Sequence, residues 1–447
     1  MDIEQQELKP VFGFSDNSSD ILIHRGKAEI CLGENTHEGE GEVRLGLLPR
    51  AGICFYSYFK ELPNEAISFV FGENKISSFS FNGRQIEGFL LSSGGDFEAH
   101  EINCKWCPNK EPITGLGDDS TQMNKIVFHL YNFIDFFGGR FSTEEHDKTL
   151  HRINHVDLIC DEWKIHLKSL ISTSDKIELL RKEGGYQLTH VGGLEKIDST
   201  TFSGEQANEC LKAIRYFLSF TKGCWCEPIC AVGFDASGNH VWESWASPNE
   251  SWHEPLSWFD SHNALQLSEL FKLFMIRWNN EGWCNALREI IYWYQNANHS
   301  SRGIEAGIIL TQAAIERLSY EYSVNDKGLL SGKGFKDLRA SDKFRLLFSS
   351  LKIPLSIPDE TTIMKKLAEE NNWLDAPHAL PEIRNSLVHP EHKKRGQLNT
   401  AHHEAWNLGL WYLEMGVLAI CGYQGTYGNR LKQRWKGQVE NVPWNSK

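Results

Sequence analysis

The N-terminal part of the chain, over about 20–200, consists of short runs in which apolar and polar residues alternate, with glycine between them. The runs 52–58 and 125–130 are examples. Alternation with a period of two residues is typical of strands that bury one face. A further pair of runs within 157–167 is joined by Asp161 and Glu162, which predicts a hairpin. We therefore predict a β-sandwich or barrel in this part of the chain.

The pattern changes shortly after residue 200. Ser203 is followed three residues later by Gln206, which forms a capping box and predicts a helix running to about Phe220. Two short strands joined by a turn at 235–238 follow this helix. The sequence then becomes polar and contains a proline, as Ser-Pro-Asn-Glu at 247–250, where we predict a linker.

Helical periodicity dominates the chain from about residue 265 onward. The final helix has two apolar stripes on roughly opposite sides, one through Trp406 and Leu413 and one through Trp411 and Leu418. Such a helix lies either at the centre of a bundle or against a second subunit, and the sequence leaves both alternatives open. The predicted helices span 265–280, 282–298, 303–322, 341–351, 376–388 and 400–421.

These patterns predict an α+β fold with three parts. A β-rich domain covers 1–200, a mixed helix and hairpin connector covers 201–260, and an all-α helical bundle covers 261–447. A chain of 447 residues, of which 40% are hydrophobic, can bury several ordinary cores.

Composition excludes some functional classes. The net charge of -13 argues against non-specific coating of nucleic acid, so any nucleic-acid site must be a local basic island. The chain has no basic N-terminal start and no stretch of about 18 uncharged apolar residues, so we expect a cytoplasmic protein that does not associate with membranes.

The eleven cysteines suit reduced thiols better than a disulfide framework. Cys104 and Cys107 have the spacing of half a zinc knuckle, and Cys224, Cys226 and Cys230 could add thiolates. The spacing does not form two matched pairs, so we predict no metal and no other cofactor and leave structural zinc as the alternative.

Candidate chemistry concentrates in 380–390, which contains Arg384, Asn385 and His389. An arginine and a histidine five residues apart are a weak signal alone. Pro381 suits the first turn of a short helix, and Pro390 disfavours helical geometry at His389, so the imidazole should stand at a helix end. On an ideal helix the Arg384 and His389 side chains point about 140° apart, so convergence needs a bend at His389 or a second copy of the chain.

The segment 384–389 resembles the Arg-polar-x-x-x-His signature of the HEPN ribonuclease superfamily, set between a helix containing Glu316 and a long apolar final helix. The closing segment 422–430 is similar to the tails of anti-phage HEPN proteins of the ApeA type. The resemblance covers roughly 265–435 and implies a HEPN-like bundle, a homodimer formed through it, and an N-terminal domain that senses or regulates.

The resemblance also implies metal-independent RNA cleavage, in which the 2′-hydroxyl is the nucleophile. In this interpretation His389 transfers protons, Arg384 stabilises phosphate charge, Asn385 orients the phosphate or the histidine, and Glu316 positions Arg384. The substrate is RNA, with tRNA suggested by the family, and a phage-derived trigger would act on the N-terminal domain. Basic residues near the motif form the expected RNA-binding island: Lys393, Lys394 and Arg395, with Arg430, Lys432, Arg434 and Lys436 near the C-terminus.

Two functional classes therefore remain. The first is a toxin-like, anti-phage endoribonuclease acting in abortive infection. The second is a catalytically inactive dimerising protein whose β domain captures a ligand or a phage protein. An Arg and His pair at a helix end also serves commonly as a cap and a surface ion-pair partner, without any catalysis.

Overall fold

The computed structural model of the protein describes residues 8–14, 20–63, 76–96, 98–143, 150–389 and 396–445. It has the predicted α+β class. The chain forms two compact units, each assembled from three segments. The first unit contains Met1–Phe133, Lys168–Cys210 and Glu227–Trp252, and the second contains Ile134–Leu167, Leu211–Cys226 and His253–Lys447. The limits of these units differ from the predicted domain boundaries near residues 200 and 260.

A seven-stranded antiparallel sheet is the largest element of the first unit, with strand order β5-β4-β1-β2-β3-β7-β6. The alternation recognised in the sequence decides which side chains are buried. In β3, for example, Ile53, Phe55 and Phe59 are buried on one face, while Tyr58 on the other face is exposed. The strands are β1 (Ile21–Leu32), β2 (Asn35–Gly46), β3 (Gly52–Phe59), β4 (Ser78–Phe81), β5 (Arg84–Gln85), β6 (Gly88–Asp96) and β7 (Glu101–Pro108).

The first unit contains a second group of strands in the order β14-β10-β16-β17-β8. Trp245 of this group shares one core with Phe55 and Phe79 of the seven-stranded sheet, which is the packing expected of a sandwich. The elements are β8 (Ile113–Leu116), β9 (Gln122–Met123), β10 (Lys125–Tyr131), helix α1 (Thr173–Glu183), β14 (Leu188–Lys196), β15 (Phe202–Ser203), β16 (Ile229–Phe234) and β17 (His240–Trp245).

The capping box is confirmed at the start of helix α2 (Gly204–Lys222). The Ser203 amide donates to Gln206 Oε1 at 3.0 Å, and the Gln206 amide donates to Ser203 Oγ at 3.3 Å. The predicted linker at 247–250 is held firmly, because Glu227 accepts hydrogen bonds from both the amide and the side chain of Asn249. The polar run is thus tied to the first unit by a carboxylate.

His129 on β10 is completely buried and makes three polar contacts. Its Nε2 accepts from the Val11 amide at 3.1 Å, and its Nδ1 lies 3.1 Å from the Cys230 carbonyl oxygen and 3.3 Å from the Ile229 carbonyl oxygen. These partners fit a neutral ring with the proton on Nδ1. Burial accordingly lowers the pKa of His129 to about 4.

Five strands of the described chain lie in the second unit. They are β11 (Gly139–Thr143), β12 (Leu150–Cys160), β13 (Trp163–Ser169), β18 (Thr426–Tyr427) and β19 (Glu440–Asn441). Strands β12 and β13 form the predicted hairpin, the last residues of β13 belong to the first unit, and β18 pairs with β19 in a separate two-stranded sheet. Most of the remaining ordered structure is helical, and no helix in the described ranges is long and apolar enough to span a membrane. The helices are α3 (Leu265–Trp278), α4 (Glu281–Ala297), α5 (Ile304–Tyr320) with a π-helical extension (Glu321–Asp326), α6 (Gly332–Asp337), α7 (Ala340–Ser350), α8 (Thr362–Asn371), α9 (Ala376–Val388) and α10 (His402–Cys421).

All six predicted C-terminal helices are confirmed to within a few residues, whereas α1, α6 and α8 were not predicted. These three are short and carry few apolar positions, so their periodicity is weak. Both apolar stripes of α10 are covered within one chain, because Leu408, Trp411, Leu413 and Leu418 are all buried. The central-bundle alternative is therefore confirmed for α10, and its two stripes no longer argue for a dimer.

Helix α10 approaches α5 closely at two glycines. A methyl group at Gly409 would lie 2.7 Å from Thr311 Oγ1, and one at Gly416 would lie 2.6 Å from Leu318 Cδ2. A larger residue at either position would force the Thr311 or Leu318 side chain to move. The contact makes α5 and α10 the centre of the helical unit.

A buried ion pair joins α10 to the C-terminal segment. Arg430 Nη2 lies 2.7 Å from Glu414 Oε1, and the two side chains are 1% and 0% exposed. Tyr294 donates to the same carboxylate at 2.6 Å, while Arg430 also donates to the Leu256 carbonyl and to Asn298 Oδ1. Burial and the Glu414 charge raise the pKa of Tyr294 well above its usual range. Each charge is therefore satisfied by several partners.

We expect the first unit to lose stability as the pH falls from about 6.5 towards 4. The unfolded chain binds a proton at His129 in that range whereas the folded chain does not, so His129 contributes a slope that approaches about 1.4 kcal/mol per pH unit. The buried His190, whose pKa burial lowers to about 3, adds a contribution of the same sign. Urea unfolding measured at several pH values tests this. The His129→Leu variant should have a smaller slope than His403→Ala, which removes an exposed imidazole. Equal slopes would contradict the assignment.

Replacing Arg430 with methionine should lower the free energy of unfolding by about 3–5 kcal/mol, because Glu414 would remain as a buried and unpaired charge. Denaturant unfolding followed by circular dichroism measures the loss. The matched control is Lys432→Met, which removes an exposed cation paired with Glu440 and should cost about 1 kcal/mol or less. Similar losses for both variants would show that the ion pair is not critical.

Candidate functional site

Helix α9 carries the predicted motif, and Asp375 fixes where it begins. The Asp375 carboxylate caps the helix by accepting from the His378 amide at 2.9 Å. The same carboxylate forms a bidentate pair with Arg345 of α7, at 2.7 and 2.9 Å. Asp375 therefore serves as a helix cap and as an ion-pair partner.

The prediction that Pro381 occupies the first helical turn is wrong. Pro377 lies in that turn, and Pro381 lies inside the helix, where it is buried. Gln312 of α5 donates to the adjacent Leu380 carbonyl at 2.7 Å. Because proline has no amide proton, the helix loses one internal hydrogen bond at Pro381, and the packing of α9 on α5, α7 and α10 offsets that loss.

One face of α9 is buried and the other reaches solvent. Ala379, Leu380 and Ile383 are at most 1% exposed, whereas Arg384 and Asn385 are partly exposed. The motif residues therefore lie on a helix that the core holds in place.

His389 lies immediately beyond the end of α9, as predicted. Its backbone is extended, with φ -100° and ψ 112°, and its amide donates to the Asn385 carbonyl at 3.1 Å. The side chain is exposed. Because the helix ends here, the 140° separation expected on an ideal helix does not apply to the Arg384 and His389 pair.

The Arg384 guanidinium contacts its neighbour in the motif. Its Nη1 donates to Asn385 Oδ1 at 3.2 Å. In the ranges that the structure describes, Arg384 has no carboxylate partner, whereas Arg317 and Arg345 of the same unit are both ion-paired. The contact with Asn385 uses one of the five N–H donors of the guanidinium.

Glu316 is not in contact with Arg384 in the described chain. Its carboxylate pairs with Lys343 of α7. The predicted role of Glu316 in positioning Arg384 has no contact to support it. The physical reason is that Lys343, held over the Phe335 ring at 4.7 Å, is the nearer cation.

The predicted basic island near the C-terminus is largely neutralised. Arg430 is buried on Glu414, Lys432 pairs with Glu440, and Arg434 lies 2.6 Å from Asp260. Lys436 is exposed. The prediction that the C-terminal cations contribute to an RNA-binding surface is wrong for Arg430, Lys432 and Arg434, because each pairs with a carboxylate of the protein itself. Lys393, Lys394 and Arg395 lie outside the described residues.

No group of three or more potential metal ligands occurs among the described residues. Cys104 and Cys107 are three positions apart on β7, so their side chains point to opposite faces of the sheet. In this strand they cannot serve together as the ligand pair that forms half a zinc knuckle.

An open cavity of about 670 Å³ lies at the start of α9 and not at its end. Asp359, Glu369, Trp373 and Asp375 are among its lining residues. A helix of 13 residues is about 20 Å long, so this cavity is a helix length away from His389.

Sequence reasoning did not identify Asp375 and Arg345, which position α9. A signal was present, because Asp375 precedes Ala376 and Pro377, and aspartate followed closely by proline is typical of a helix start. Arg345 has no comparable signal, since its partner lies 30 residues away in the chain.

Comparison with known proteins gives a family likeness without a known activity. Residues 118–254 match the family model described as the YopA central domain, and residues 280–441 match the YopA C-terminal domain. The SPbeta prophage-derived uncharacterized protein YopA of Bacillus subtilis (strain 168) is 28% identical over 460 residues, which covers 100% of both chains. No solved structure matches. All four predicted catalytic residues lie in the C-terminal match, and the HEPN resemblance stays a prediction.

Replacing Asp375 with alanine should lower the free energy of unfolding by about 2 kcal/mol, because it removes a helix cap and the partner of Arg345. Asp375→Asn should lose less, since asparagine also caps helices. Chemical denaturation measures both changes. The control is Asp359→Ala, whose side chain is 91% exposed and which should change stability by no more than about 0.5 kcal/mol. A loss for Asp375→Ala no greater than the control's would exclude this role.

Proposed function

We propose that the protein is a metal-independent endoribonuclease whose site is formed by Arg384, Asn385 and His389. The observation that carries the proposal is the arrangement at the end of α9. An arginine without a carboxylate partner in the described chain and an exposed histidine stand on one rigid helix end. The substrate class is RNA, because this set of groups can move protons and stabilise phosphate charge without a metal.

The chemistry is an attack of the RNA 2′-hydroxyl on the adjacent phosphorus. The 5′-oxygen leaves, and the products are a 2′,3′-cyclic phosphate and a 5′-hydroxyl. The His389 imidazole accepts or donates a proton in this step. Arg384 stabilises the non-bridging oxygens through its two terminal nitrogens. Asn385 orients the arginine through the hydrogen bond that the fold contains.

One histidine supplies one of the two proton transfers. A homodimer would place a second His389 near the first and supply the other, which is why we include a dimer in the proposal. Glu316 takes no catalytic part in this version, since it is engaged by Lys343. Lys393, Lys394 and Arg395 follow the motif directly in the sequence and are the remaining candidates for contacts with the RNA backbone.

The biological setting we propose is that of a cytoplasmic, toxin-like effector of anti-phage defence acting by abortive infection. The related B. subtilis protein is described as prophage-derived, which favours a phage context. In this setting the β-rich N-terminal part senses a phage-derived trigger and restrains the nuclease, and tRNA is the first substrate to test.

A second candidate is a binding protein without catalysis. The ion pairs made by Arg430, Lys432 and Arg434 favour it, because they remove much of the positive charge expected on an RNA surface. In that case the motif would only end α9, and the β-rich part would bind a ligand or a phage protein.

Incubation of purified protein with total RNA in EDTA distinguishes the two. We expect cleavage with cyclic phosphate ends for the wild type, and a loss of about 100-fold or more in Arg384→Ala and His389→Ala. Asn385→Ala should lose less. End-group analysis and gel electrophoresis measure the rates, and circular dichroism verifies folding.

Matched controls are Arg339→Ala and His403→Ala, which remove an exposed arginine and an exposed histidine elsewhere in the helical unit. Both should cleave like the wild type. Absence of cyclic phosphate ends from the wild type, or equal cleavage by motif and control variants, would reject the nuclease and favour the binding protein.

A further inference from the structure

Two cysteines of the seven-stranded sheet lie side by side on the face that points away from its core. Phe55 of β3 pairs with Trp106 of β7, and both rings are buried in the core. Side chains alternate along a strand, so Cys54 and Cys107, each next to one of these residues, share the opposite face. Their Sγ atoms are 3.4 Å apart.

The surroundings of the pair favour a thiolate. Lys105 lies on the same face of β7, and its Nζ is 4.9 Å from the centre of the Tyr56 ring. Tyr56 in turn donates to Asp20 at 2.8 Å. The hydrogen bond from Cys54 and the nearby Lys105 charge together lower the pKa of Cys107 to about 7, against the opposing effect of burial. Cys54 is the protonated partner, with a raised pKa.

Three other described cysteines have a different environment. Cys104, also on β7, faces the core, and burial raises its pKa to about 12. Burial likewise raises the pKa of Cys160 to about 12. Cys31 on β1 is partly exposed, but its sulfur contacts the Thr36 hydroxyl instead of a second thiol. Cys107 is partly exposed and adjacent to a resolving thiol, which are the features of an oxidisable cysteine.

We propose that Cys54 and Cys107 form a peroxide-reactive dithiol that closes into a disulfide between β3 and β7. The geometry carries the proposal. The sulfurs are already neighbours on adjacent strands, and closure requires them to approach by little more than about 1 Å. Residues 55–106 would then be enclosed by a covalent link.

The reaction balances with hydrogen peroxide as the oxidant. The Cys107 thiolate attacks one peroxide oxygen, the O–O bond breaks, and the departing hydroxide takes a proton to become water. Cys107 is then a sulfenic acid, and the peroxide has been reduced. The Cys54 sulfur attacks the Cys107 sulfur, its proton joins the departing hydroxyl, and a second water leaves as the S–S bond forms.

Closure should stabilise the sheet against unfolding, because a link between residues 54 and 107 restricts the unfolded chain. The link joins β3 and β7 on the face where Tyr56 and Lys105 meet, so the surface properties of that face would depend on the oxidation state.

The test uses the full chain, reduced with dithiothreitol, desalted and treated with equimolar hydrogen peroxide. Proteolysis without reduction, followed by mass spectrometry, should identify a peptide pair linked through Cys54 and Cys107, lighter by two hydrogen atoms. Dithiothreitol should reverse the link. Cys107 should react about tenfold faster than an ordinary thiol at pH 7, because its thiolate fraction is larger. The thermal midpoint of unfolding should rise on oxidation.

Two variants identify the roles. Cys54→Ser should stop at the Cys107 sulfenic acid, which a 1,3-diketone such as dimedone traps. Cys107→Ser should form no link and trap no sulfenic acid at Cys54. Cys31→Ser is the matched control and should form the link at the wild-type rate. A folded wild type that forms no link between Cys54 and Cys107, or that oxidises Cys107 no faster than Cys31, would overturn the proposal.

Discussion

The helical unit depends on one interaction, the buried pair between Arg430 and Glu414. A guanidinium and a carboxylate that are almost fully removed from water must be satisfied by protein groups, and Tyr294, Asn298 and the Leu256 carbonyl supply them. Tyr294 lies in α4, Asn298 directly follows α4, and Leu256 precedes α3, while Arg430 itself belongs to the C-terminal segment. The pair therefore requires several distant parts of the chain to reach their places together, and in doing so it specifies the arrangement around α10.

A series of helix contacts connects this ion pair to the candidate site. Helix α10 packs on α5 through its glycines, and α5 contacts α9 through Gln312 and Leu380. The Asp375 and Arg345 pair fixes the beginning of α9. These contacts restrict the position of α9, so the end of this helix has a defined position although His389 itself is exposed. A functional group on such a helix end combines accessibility with the precision of a packed element.

Much of this could be predicted from the sequence, and the failures have physical causes. Periodicity predicted α3, α4, α5, α7, α9 and α10, because each buries one face or is buried entirely. The ending of α9 at His389 followed from Pro390. Arg430 was assigned to a solvated basic island because nothing local distinguishes a buried arginine from an exposed one. Its partner Glu414 lies in an apolar helix, and only the tertiary fold brings them together. The same limit applies to Glu316 and Lys343.

The interleaving of the two units has a consequence for how the chain folds during synthesis. The segments Ile134–Leu167 and Leu211–Cys226 leave the ribosome well before the segment His253–Lys447 that completes their unit. Until that segment is synthesised, the apolar surfaces of the two early segments lack part of the core that covers them. The first unit, in contrast, is complete once Trp252 has emerged. Expression of the C-terminal third alone would omit both early segments and leave an incomplete core. The early segments are therefore exposed until the segment His253–Lys447 has been synthesised, and chaperone dependence is expected to concentrate in that period.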